Sequence, residues 1–232
     1  AKAIKTNGAL TSLNISNNKL LTQEAGKALA DALAANSVLK VIDVSNNKPY
    51  YSTSYNADGP GFVEEFAVGL RTNRALTSLD ISGNHLGQLV LPEGWTINRK
   101  EKCFQHTNGI KTAKYQFPVG SKPEGVIALA DGIKNNWALE NLHIGDNRIP
   151  IENMNEIIAL VEVKPAMKVL CAVPFRDKTI TELDVSGQSL GVEGAIVIRR
   201  YLENNGALTS LDISNNRLVG EKGTGKFKKL EG

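Results

Sequence analysis

A chain of 232 residues with 41% hydrophobic and 22% charged positions has the composition of a folded globular protein, which excludes disordered and collagen-like classes. Its formal net charge of +3, from 27 Lys+Arg against 24 Asp+Glu, is too weak for a generic nucleic-acid binder. Two cysteines, Cys103 and Cys171, cannot build a disulfide framework, no apolar run approaches the roughly 18 residues of a membrane span, and no N-terminal signal pattern is visible. The expectation is a cytoplasmic chain with no membrane or nucleic-acid partner.

In chain order, Ala1–Gly8 align with the helix end Gly132–Trp137, so the sequence opens midway through a repeating unit. That start suggests either a segment of a longer protein or an N-terminal edge that pairs with something. Residues 9–20 then read Ala-Leu-Thr-Ser-Leu-Asn-Ile-Ser-Asn-Asn-Lys-Leu, and 75–86 and 207–218 repeat them almost letter for letter. The shared template is L-x-x-L-x-L-x-x-N-x-L. Six segments fit it: Leu10/Leu13/Ile15/Asn18/Leu20, Leu39/Ile42/Val44/Asn47, Leu76/Leu79/Ile81/Asn84/Leu86, Leu139/Leu142/Ile144/Asn147/Ile149, Ile180/Leu183/Val185/Leu190 and Leu208/Leu211/Ile213/Asn216/Leu218. The fifth carries Gln188 where the others have Asn, which weakens its turn but keeps an amide. A degenerate seventh, Met167/Leu170/Ala172, predicts an extra strand without a helix.

The L-x-L kernel reads as a short strand whose alternate residues point to opposite faces, and the Asn amide can satisfy backbone groups left open by the turning chain. Between strands, Glu24–Leu39 and Glu124–Leu139 match at an offset of 100 in Ala28/Ala128, Leu29/Leu129, Ala30/Ala130, Asp31/Asp131, Leu33/Ile133 and Asn36/Asn136, and 193–208 repeats their spacing with Ile198, Leu202 and Asn205. Apolar and small residues recur there at i, i+3, i+4 and i+7, the stripe of a half-buried helix. Unit lengths of 28 and 29 residues leave room for a full helix. At these residues the chain resembles the leucine-rich-repeat family, and its unit length is similar to the ribonuclease-inhibitor subtype. The resemblance implies one domain over 1–232, an α/β solenoid shaped as a partial horseshoe with a parallel concave sheet and convex helices. It also implies a non-catalytic protein–protein interaction domain. A Ran-type GTPase-activating protein, suggested by subtype alone, and a structural spacer within a larger protein are the alternatives.

Two intervals are too long for the unit. Residues 48–60 and 88–122 both enter just after the template Asn. The longer insertion carries a turn cluster at Pro92-Glu93-Gly94 and a hairpin signal at Asn108-Gly109, which predict one or two β-hairpins. The strand pairs read from the sequence are Leu89–Leu91 with Trp95–Ile97, and Lys102–Thr107 with Ile110–Phe117. Because adjacent repeats sit side by side, Tyr50, Tyr51 and Tyr55 would stand beside Trp95, Arg99, Lys100 and Tyr115, forming a rim suited to a partner. Trp95, Phe104, Tyr115 and Phe117 could equally form a local core.

The variable strand position reads Asn14, Asp43, Asp80, His143, Cys171, Asp184 and Asp212, expected to form one polar, acidic row that could receive a basic partner. Alternatively, those Asp side chains serve hydrogen bonds along the ladder. Cys103 and His106 lack the further ligands zinc needs, so no metal or cofactor is expected. His143 beside Asp80 lacks the held nucleophile and oxyanion hole of a triad. Gly220–Gly225 lacks the Lys-Ser/Thr close of a phosphate loop, and Asn14-Ile15-Ser16, a glycosylation sequon by letter, lies in a strand. Residues 219–232 read as a flexible basic tail. Insertion 88–122 carries net +4 and the tail +2, so the repeat body is net −3.

Overall fold

The Leu-x-Leu kernels become strands of two or three residues, each followed by a turn and, in most units, a helix. The computed structural model describes residues 2–18, 22–47, 59–87, 90–98, 100–101, 103–113 and 120–218. Its elements begin with α1 (Lys2–Thr6), β1 (Ser12–Asn14), α2 (Gln23–Ala35), β2 (Val41–Asp43), α3 (Gly59–Thr72), β3 (Ser78–Asp80), β4 (Trp95–Asn98) and β5 (Cys103–His106). They continue with α4 (Glu124–Asn135), β6 (Asn141–His143), α5 (Ile151–Glu162), β7 (Val169–Leu170), β8 (Glu182–Asp184), α6 (Gly191–Leu202) and β9 (Ser210–Asp212). Strands β1, β2, β3, β6 and β7 pair in parallel and in chain order.

Register places Leu13, Ile42, Leu79, Leu142 and Leu170 side by side, with the template apolar residues packed against the helix stripes. Parallel strands lie about 4.8 Å apart, whereas helices normally pack at roughly 8–10 Å. Small residues narrow that mismatch. A Cβ at Gly69 of α3 would fall 2.5 Å from the Ala30 Cα of α2, and one at Gly132 of α4 would fall 3.2 Å from the Ala67 carbonyl oxygen.

Two sets of amides run across the repeats. After the strands, Asn47 accepts the backbone N–H of Asn18 (2.8 Å), Asn84 that of Asn47 (2.7 Å) and Asn147 that of Asn84 (2.7 Å). Each also donates Nδ2 to carbonyls of its own and the preceding unit, as Asn84 does to Ile81 and Val44. Before the strands, Asn36, Asn73 and Asn136 accept the backbone N–H groups two and three residues on and donate to the preceding helix end. An amide donates and accepts at once, so it can satisfy both sides of a junction.

The run changes character at β7. No helix separates β7 from β8, as the degenerate seventh segment predicts, and among the described residues β8 pairs with β9 alone, in a separate two-stranded sheet. Lys164, 2% exposed, stands where an Asn would, donating Nζ to the carbonyls of Lys134 (3.0 Å) and Asn136 (2.8 Å). Arg176 closes the end of α5 by donating to the carbonyls of Met167, Glu162 and Lys164. Gln188 does not take the ladder position expected of it; it is exposed. Glu193 of α6, 1% exposed, supplies the acceptor instead, receiving the N–H groups of Asn147 (3.2 Å) and Ile149 (2.7 Å). Burial pushes its carboxyl up from the usual value. The missing helix leaves a cleft of about 440 Å³ between α5 and α6, lined by Ile158, Ala159, Ile196 and the Glu162–Arg200 ion pair.

Candidate partner-binding surfaces

On the open face of the sheet, the residues flanking each inward Leu point away from the helices. Asn14, Asp43, Asp80 and His143 occupy successive register positions, so three of the predicted site residues, Asp43, Asp80 and His143, form a row with Asn14. Every acidic member is held by its own turn. Asp43 Oδ1 accepts the Ser45 N–H at 2.9 Å, and Asp80 Oδ1 accepts that of Ser82 at 2.9 Å. Asp184 and Asp212 repeat the arrangement with Ser186 and Ser214, both at 2.8 Å. The bond to Ser186 holds the Asp184 carboxyl below its usual value. These bonds fix side-chain direction, so the charges are presented without further ordering.

Asp43 and Asp80 sit on neighbouring strands, about 5 Å apart by strand spacing. Asn14 Nδ2 donates to Asp43 Oδ2 at 2.8 Å, bonding its second oxygen. Only the first oxygen of Asp80 is bonded among the described residues. Exposed Val41 on β2 adds an apolar contact beside this pair.

The row is not continuous across seven strands. Cys171 is buried at a φ of +48°, not displayed, because the chain turns sharply after Leu170 rather than extending as a third strand residue. Its thiol is pushed up to about 12 by burial. Asp184 and Asp212 form a second, separate strip on β8 and β9. His143 is committed elsewhere: Nε2 meets the Gln188 carbonyl at 2.6 Å, and Nδ1 faces the Gly145 N–H at 3.4 Å. A carbonyl can only accept, so Nε2 carries the proton and His143 clasps the two sheets together. It makes no hydrogen bond to Asp80.

The long insertion is ordered where it is described, with a different pairing from that read in the sequence. Trp95 pairs with His106 and Asn98 with Cys103, so β4 runs against β5 rather than against 89–91. Val90 instead bridges Lys122 and closes the base of the insertion. The Asn108-Gly109 turn does fold back, with the Thr112 N–H on the Phe104 carbonyl at 2.9 Å. Phe104 and Cys103 are buried here, and the Trp95 ring meets His106 edge-on with centroids 5.3 Å apart. Lys100 is exposed. Because β2 pairs β3, both insertions leave from adjacent turns. Tyr50, Tyr51, Tyr55, Arg99, Tyr115 and Phe117 lie outside the described residues. Among those described, no group of three His, Cys, Asp or Glu could hold a metal, and no helix is long and apolar enough to cross a membrane.

Three readings escaped the sequence. Asn36, Asn136 and Asn205 were visible as a recurrence, and their place three residues before a template Leu is the signal of the second ladder. Lys164 and Glu193 had no local signal, since their partners lie about 30 and 46 residues away.

Comparison with known proteins places the repeats in context. A model described as "Leucine Rich repeat" matches residues 8–30 and 72–88, and a second, "Leucine Rich Repeat", matches 207–229. Protein CARMIL of Dictyostelium discoideum is 25% identical over 215 residues, covering 93% of this chain. The chain spans 18% of that relative's length. Among solved structures, "Leiomodin-1 Actin-Binding Site 2" aligns over 87% of each chain at 14% identity and a TM-score of 0.45. The tropomodulin C-terminal domain of Caenorhabditis elegans aligns over 87% of this chain and 90% of its own at 10% identity, with a TM-score of 0.44. By sequence, then, this chain is similar to leucine-rich-repeat proteins in three of its segments.

Proposed function

We propose that the chain is a non-catalytic protein-binding module, a leucine-rich-repeat solenoid of the ribonuclease-inhibitor-like subtype in a cytoplasmic setting. Its open sheet face receives a basic polypeptide segment. Helices of 12 to 14 residues behind successive strands support the subtype. Helices wider than strands bend such a stack with the sheet inside, which supports a partial horseshoe and a concave face. Two buried free thiols fit a reducing compartment.

The observation that carries the reading is the in-register pair Asp43–Asp80. Like charges on neighbouring strands repel by roughly 1 kcal/mol even at the dielectric of water. A Lys or Arg laid between them relieves that repulsion and gains two fixed acceptors. His143, with both ring nitrogens on backbone groups, is a structural clasp rather than a general base.

Panning a displayed random peptide library on the folded chain tests the proposal. Selected peptides should include a class rich in Lys and Arg whose affinity falls at least tenfold in the D43N/D80N variant and weakens with salt. Absence of a basic class, or one indifferent to D43N/D80N, overturns it.

A further inference from the structure

On the opposite edge of the repeats, where helices end and strands begin, each unit places one residue just after its ladder Asn. That residue is Gly8, Ser37 and Gly206 in three units, but Arg74 and Trp137 in two others. The turn itself accepts glycine or serine: Asn7, Asn36, Asn73, Asn136 and Asn205 all accept the same two downstream N–H groups whatever follows them. Folding therefore does not require a large side chain there. Since β3 pairs β6, Arg74 and Trp137 belong to neighbouring units.

Trp137 is 57% exposed, costly for the largest apolar side chain. Lys164 Nζ lies 4.1 Å from the ring centroid and is itself fixed by two carbonyls. Arg74 is pinned beside it through Nη1 on the carbonyls of Arg71 and Asn135, and Lys134 is exposed on the same helix end. Val163, immediately before Lys164, is 72% exposed. None of Arg74, Lys134 and Lys164 pairs with a carboxylate among the described residues. The nearby acids are engaged elsewhere: Asp131 with Arg71, Glu140 with Lys168, and Glu162 with Arg200. Arg74 and Lys164 do cover helix-end carbonyls, but that role explains neither an exposed tryptophan nor an exposed valine.

We propose that this edge, Trp137 with Val163 between the exposed cations Arg74 and Lys134, is a second docking surface. Its occupant is an acidic polypeptide segment bearing an apolar anchor. The uncompensated cations set the sign of the partner. One face of the indole is already taken by Lys164, so an aliphatic or aromatic side chain lies against the other face and Val163. Two exposed cations and a valine make a poor track for a nucleic-acid backbone, which needs a longer basic run.

The same panning experiment, repeated against the W137S variant as a counter-selection, decides the matter. The expected result is a class of peptides enriched in Asp and Glu around an apolar residue. Their affinity falls at least tenfold in W137S and severalfold in R74S, with D43N/D80N having no effect. Circular dichroism should show both variants folded, because Ser occupies the position after Asn36. If selected acidic peptides bind W137S as well as the parent, or none is selected, the proposal fails. Competition by an oligothymidylate of equal charge at equal concentration would also overturn it, assigning the edge to nucleic acid. Failure here leaves the basic class on the open face intact, so the two proposals fall separately.

Discussion

The stretch from β1 to β6 and the joint from β7 to α6 solve the same problem with different chemistry. In the first, one buried amide per turn donates to two carbonyls and accepts an N–H from the neighbouring unit, so the pattern can be copied indefinitely. In the second, one unit has lost its helix and no single group faces both sides. Lys164 stands in for the amide before the strands as a donor alone, and Glu193 for the amide after them as an acceptor alone. A repeat can drop an element if the orphaned backbone groups are met by charged side chains long enough to reach them. The consequence for the open face is that the break divides the row into four strands and a separate two-strand strip.

Breaking the regular ladder should cost most. Replacing Asn84 by Ala orphans the buried Asn47 N–H and removes two donated hydrogen bonds, an expected loss of about 3 kcal/mol in urea denaturation. A loss under about 1 kcal/mol would mean the ladder is decoration.

The joint should be more forgiving, because Glu193 stays buried at a desolvation cost that offsets part of its hydrogen bonding. Replacement by Ala is expected to cost about 2 kcal/mol, whereas Gln keeps an acceptor oxygen and should stay within about 1 kcal/mol of the parent. The pH dependence sharpens the contrast. Burial raises the Glu193 carboxyl above its ordinary 4.5, so the folded state holds the proton more tightly than the unfolded chain. Its contribution is therefore fully present below pH 4.5 and is lost as pH rises through the raised folded value. Denaturation curves between pH 4 and 7 should show this decline in the parent and its absence in E193Q.

Much of this was legible in the letters. Leu13, Ile42, Leu79 and Leu142 face the core because strand alternation is local. The Asn108-Gly109 turn and the helix-less seventh segment were readable for the same reason. Sheet continuity was not. Whether β7 joins β8 depends on how a missing helix lets the units separate, and no pattern around Leu170 records that. Glu193 substituting for Gln188 was equally hidden, since Gln188 looks the better ladder residue until its exposure is known. In the insertion, Trp95 found β5 rather than Leu89–Leu91 because Val90 is held by Lys122, a partner 32 residues on.

The division of the open face leads to the most direct measurement. The dissociation constant of a basic peptide selected on the parent chain should be determined for D43N/D80N and, in parallel, for D184N/D212N. At least a tenfold loss is expected in the first variant and less than twofold in the second, because only the first pair lies on the five-stranded sheet. Equal losses, or a larger loss in D184N/D212N, would contradict it.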